Sequence, residues 1–66
     1  MNQEVIGVNA GLVWSALNTA NDQSMKSLKK VTKLKDKDLY LALGWLAREG
    51  KIKFDESGEE IVIELL

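Results

Sequence analysis

At 66 residues, with a net charge of −1 and neither cysteine nor histidine, the chain has the length of one small domain and lacks the usual metal ligands and bases for nucleophilic catalysis. Folding at this size buries only about 60% of the unfolded surface and yields roughly 3–5 kcal/mol, so without disulfides association into a homodimer is the expected extra stabiliser. No apolar run reaches the length of a membrane span and no basic-then-apolar leader opens the chain, so a cytoplasmic, non-enzymatic protein with no cofactor and no metal is expected.

Charge is spread unevenly along the chain. Residues 1–22 carry only Glu4 and Asp22; all nine cations fall in 23–53, against Asp36, Asp38 and Glu49; and 54–66 adds Asp55, Glu56, Glu59, Glu60 and Glu64. A basic middle is followed by an acidic end.

From Asn2 to about Asn18, Ile6, Ala10, Val13 and Leu17 recur at spacings of four, three and four, which predicts a helix, and Val5, Leu12 and Ala16 widen its apolar stripe. Gly7, Gly11 and Ser15 form a second stripe of small residues, although an interior Gly costs about 0.8–1.0 kcal/mol relative to Ala. A close neighbour is expected there: the hairpin or last helix of the same chain, or a dimer partner. Trp14 is expected in the core or at its edge. Asn18, Thr19, Asn21 and Asp22 are turn formers that close the helix.

Ser27 suits an N-cap for a second helix, on which Leu28, Val31 and Leu34 recur at three-residue spacing. Asp36, with Lys35 as the alternative, suits the cap of a third, and Asp36 and Asp38 complement its dipole. Leu39, Ala42, Leu43 and Leu46 mark the third helix's inner face; Arg48 and Lys51 flank Gly50, which is placed to stop it. Beyond Gly50 the period falls to two: Ile52 and Phe54 alternate with lysines, and Ile61 and Ile63 alternate with Val62 and Glu64. A hairpin is predicted, with Gly58 supplying a positive φ in the turn 55–59. Leu65 and Leu66 are expected to dock on the first helix or on a partner.

The run from Tyr40 to Ile52, together with Ile6-Gly7, Ala10-Gly11, Val13-Trp14 and Ala16-Leu17, resembles a small bacterial winged helix-turn-helix family of uncharacterised role. The resemblance covers nearly the whole chain. It implies an α+β fold of three helices with a C-terminal two-stranded wing, and a short third strand at Gln23 to Lys26 beside that hairpin. Two positions depart from the usual motif. Lys29 stands where the first helix of the motif normally has a small residue, so it must snorkel or the helices must cross more loosely. Lys33 replaces the turn Gly, at a cost of roughly 1–2 kcal/mol if it is left-handed.

The architecture implies nucleic-acid binding, and the leading expectation is contact with the phosphates of double-stranded DNA through Lys26, Lys29, Lys30, Lys33, Lys35 and Lys37, with Tyr40 near base edges. The outer face of the third helix offers no Arg, Asn or Gln early on, so lysines would position the duplex without reading it. Carboxylates at the wing tip repel phosphates, so the tip is expected to point away from bound DNA. The alternative is a protein-interaction or dimerisation module, with Leu41 and Trp45 as an exposed patch and Gly7, Gly11, Leu65 and Leu66 as further contacts.

Overall fold

A computed structural model describes residues 2–66. Helix α1 spans Gln3–Thr19, strand β1 Gln23–Ser24, α2 Met25–Thr32, α3 Asp36–Arg48, β2 Ile52–Asp55 and β3 Val62–Leu65. The fold is α+β: three helices and an antiparallel sheet of order β1-β3-β2. The short extra strand therefore forms, and it pairs with the second arm of the hairpin, Gln23 opposite Ile63 and Ser24 opposite Val62. On the other side of β3, Ile52 faces Leu65 and Phe54 faces Ile63.

Local chemistry sets the helix ends. Asn2 caps α1, its Oδ1 accepting the Val5 N–H at 2.8 Å and so satisfying a donor the helix leaves free. Helix α2 begins earlier than expected, because Ser24 and not Ser27 is its N-cap: Ser24 Oγ accepts the Ser27 N–H at 3.1 Å. Ser24 is also the last residue of β1, so one residue ends the strand and opens the helix; Ser27 instead donates its hydroxyl to Gln23 Oε1 at 2.9 Å. Lys33 closes α2 at φ 61°, in the left-handed conformation that carries the steric cost, and donates its N–H to the Lys29 carbonyl at 2.9 Å. At the end of α3, Gly50 takes φ 71° and donates to Ala47 O while Lys51 donates to Leu46 O, both at 3.0 Å. These paired bonds satisfy carbonyls that the last turn would otherwise leave open.

The core joins Ala10, Val13 and Leu17 of α1, Leu28 of α2, Leu39, Ala42, Leu43 and Leu46 of α3, and Ile52 and Ile63 of the sheet. Four expectations fail at its margins. Val5 and Leu12 do not widen the buried stripe of α1, since they point beyond the arc that the other elements cover, and Trp14 is 43% exposed. Val31 is 57% exposed, because a helix as short as α2 turns only Leu28 fully inward. Phe54, on the edge strand β2, is likewise 42% exposed.

The wing loop, residues 56–61, is longer than a tight turn and needs no left-handed residue. Gly58 accordingly does not take positive φ; among the described residues Gly50 is the glycine that does. Asp55 organises the loop's start, its Oδ1 accepting the Ser57 N–H at 2.9 Å and the Ser57 hydroxyl at 2.6 Å. At the loop's end the Ile61 carbonyl accepts the Met25 N–H at 2.9 Å, tying the wing to the start of α2.

Candidate nucleic-acid interface

Along α2, positions 26, 29, 30 and 33 follow the spacing that brings side chains onto one helical face. Burial of Leu28 on the opposite side fixes which way that face points. Lys26, Lys29, Lys30, Lys33 and Lys35 line one open groove between α2 and the start of α3, with Leu34 and Asp36 completing it. The turn is shaped by Thr32, whose hydroxyl donates to Leu28 O at 2.7 Å. Lys35, not Asp36, is the N-cap of α3 and makes no side-chain capping bond, because Asp36 has entered the helix as its first residue and is engaged elsewhere. Lys29 Nζ lies 2.8 Å from Asp36 Oδ1, with both side chains more than half exposed. The departure at Lys29 is thus met by an outward lysine. Its hydrogen bond to Asp36, and then the Asp36 charge, raise its pKa above the ordinary lysine value.

Lys37 and Tyr40 do not line this groove; both are exposed on the outer side of α3. The first turn of α3 carries Asp36 and Asp38, so the end of the helix nearest the ridge is rich in carboxylate. The geometry offers cations for a phosphate backbone and few donors for base edges.

The acidic wing borders one end of the ridge. Glu59 and Glu60 share a second groove with Met25, Lys26 and Ile61, so Lys26 stands between the two charge fields. At the other end of the loop, the Ser57 hydroxyl and then the Ser57 N–H hold the Asp55 carboxyl below its ordinary pKa. Among the described residues, no three acidic side chains gather as metal ligands.

The proposed partner-contact residues are scattered. Trp45 is half-buried: its ring lies against α1, where a Cβ on Gly7 would meet Trp45 Cζ2 at 3.8 Å, so the last helix is the neighbour that Gly7 admits. Leu41 remains exposed without its expected companion. Gly11 faces open space. Leu65 packs against the core and donates its N–H to Asn21 Oδ1 at 3.0 Å, whereas the Leu66 side chain is 73% exposed. The Asn21–Leu65 bond was hidden in the sequence, where Asn21 reads only as a turn former. No helix among the described residues is long and apolar enough to cross a membrane.

Comparison with known proteins agrees with this architecture. A search of curated proteins finds no match. A Bacteroides thetaiotaomicron protein, BT2368, solved by solution NMR in a structural-genomics programme, is 38% identical, with a TM-score of 0.88 over 98% of this chain and 79% of that one. A family profile described as a winged helix-turn-helix domain (DUF2582), a description of fold and not of activity, matches residues 1–65. With the helix-turn-helix, the β-ribbon and the profile in agreement over nearly its full length, the chain belongs to the winged helix-turn-helix domain family DUF2582.

Proposed function

We propose that this domain is a cytoplasmic, transcription-regulator-like binding module, not an enzyme, that holds double-stranded DNA by its phosphates. The observation that carries the reading is the convergence of Lys26, Lys29, Lys30, Lys33 and Lys35 on one groove of a helix-turn-helix. Lysines placed this way act as point charges: they displace condensed counterions and fix orientation on the duplex. With carboxylates in the first turn of α3, base discrimination is weak and the affinity is chiefly electrostatic. Glu59 and Glu60, beside Lys26, limit that affinity and keep the wing from lying along the backbone.

The test is fluorescence anisotropy with two duplexes of unrelated sequence. Engagement of three to five phosphates gives a slope of log K against log salt of about −2.7 to −4.5, and a dissociation constant of roughly 10⁻⁴–10⁻⁶ M near physiological salt. Replacing Lys30 and Lys33 by Glu abolishes binding, while Glu59→Gln with Glu60→Gln tightens it several-fold at about 50 mM salt. Absence of salt-sensitive binding at about 50 mM would dispose of the proposal.

A further inference from the structure

The lysines of the groove attract phosphate, and they also set nitrogen nucleophiles beside it. Lys26 and Lys33 stand four residues before and three after Lys30, spacings at which helical side chains are neighbours, and all three line the groove. Lys30 is exposed, and among the described residues no carboxylate pairs with it. Lys29, in the same groove, differs. Asp36 lies 2.8 Å from its Nζ, and that hydrogen bond and charge hold it as an ammonium, which has no lone pair to offer. Lys37 and Lys53 are exposed but stand outside the groove.

We propose that Lys30 is a site of acylation by small acyl phosphates, whose phosphate is held by Lys26 and Lys33 while the acyl carbon meets the Lys30 amine. In its neutral form the Lys30 Nζ attacks that carbon. A C–N bond forms, the bond from the carbon to the phosphate oxygen breaks, inorganic phosphate leaves with the electron pair, and the surplus proton on nitrogen passes to water. The two ammoniums favour this donor over an uncharged one, because they raise its local concentration and stabilise the charge gathering on the departing phosphate. Each transfer turns an ammonium into a neutral amide and so removes a cation from the ridge. The inference rests on reading the ridge as a holder of phosphate, though not on duplex binding itself. Where duplex is bound, acylated Lys30 weakens it and makes the salt slope shallower by about one unit.

The test treats the full chain with acetyl phosphate at about 10 mM ionic strength, where screening is weak, and follows acetylation of each lysine by mass spectrometry at low conversion. The uncharged N-hydroxysuccinimide ester of acetic acid is the second donor. With acetyl phosphate, Lys30 is expected to react roughly fivefold faster than Lys37 and Lys53, and Lys29 no faster than those two. With the ester the advantage of Lys30 disappears, which separates a held phosphate from simple exposure. Lys26→Gln with Lys33→Gln, both at exposed positions, lowers Lys30 to the rate of Lys53 for acetyl phosphate and leaves its rate with the ester unchanged. Asp36→Asn raises Lys29 toward Lys30. Equal rates at Lys30 and Lys53 with acetyl phosphate overturn the inference, as does a preference that the ester reproduces or the double variant keeps. A chain that binds no duplex yet shows the donor-dependent preference upholds the inference and loses the DNA reading; duplex binding without that preference does the reverse.

Discussion

Lys29 of α2 and Asp36 of α3 meet at 2.8 Å across the turn that separates their helices. The pair links the ridge to the helix that follows it, and it also removes one cation's worth of field from the groove. Replacing Asp36 with Asn leaves the shape and frees the lysine. Duplex affinity is expected to rise about two- to fivefold at 50 mM salt, read by anisotropy, with a slightly lower melting temperature as the helix start loses an anion. In the same variant the Lys29 pKa falls back toward the ordinary lysine value. Since a raised lysine pKa adds stability that persists below the ordinary value and fades only as pH climbs through the raised one, Lys29 contributes no pH dependence below about pH 9.

Leu28 is the single fully buried residue of α2, so the bearing of the whole ridge depends on it. Leu28→Ala is expected to cost about 2–5 kcal/mol, comparable with the total stability of so small a domain, and to unfold most of the population at 37 °C. Val31→Ala, one turn further along the same helix, changes stability by less than about 0.5 kcal/mol. Urea titrations followed by circular dichroism separate the two.

Lys33 occupies a left-handed position that glycine tolerates without strain. Lys33→Gly is expected to stabilise the domain by about 1 kcal/mol and to weaken duplex binding severalfold, with a salt slope shallower by about one unit. Stability and binding thus move in opposite directions in one variant.

Asp55 titrates below the ordinary carboxylate value because Ser57 donates to it twice. A depressed carboxylate adds stability that is present above the ordinary value and lost as pH falls through the depressed one. Ser57→Ala should therefore move the Asp55 midpoint upward, with the loss of stability beginning at a higher pH, as read by an NMR titration of the carboxyl carbon.

Periodicity made three helices and a ribbon legible because each buries a single stripe, and Gly50 stood out as a stop because it follows the last apolar positions of α3 and is free to take positive φ. The cap of α2 was harder: Ser24 and Ser27 are chemically equivalent candidates, and only the pairing of β1 with β3 decides between them. The lysines on α2 followed from helical spacing. Their relation to the wing did not, because the approach of Glu59 and Glu60 to Lys26 depends on the Met25–Ile61 bond, a contact between distant parts of the chain. Val5 and Leu12 read as an extension of the core stripe, since composition alone does not say how wide an arc the rest of the molecule covers. The turn of Trp45 toward Gly7 is likewise a consequence of how α1 and α3 cross.

The strand at the middle of the sheet is the last one made. Until the ribosome has delivered residues 62–65, neither Gln23–Ser24 nor Ile52–Asp55 has anything to zip against. The nascent chain is left with helices whose inner faces lack Ile63, so the sheet, and the core wall it forms, closes only with that strand.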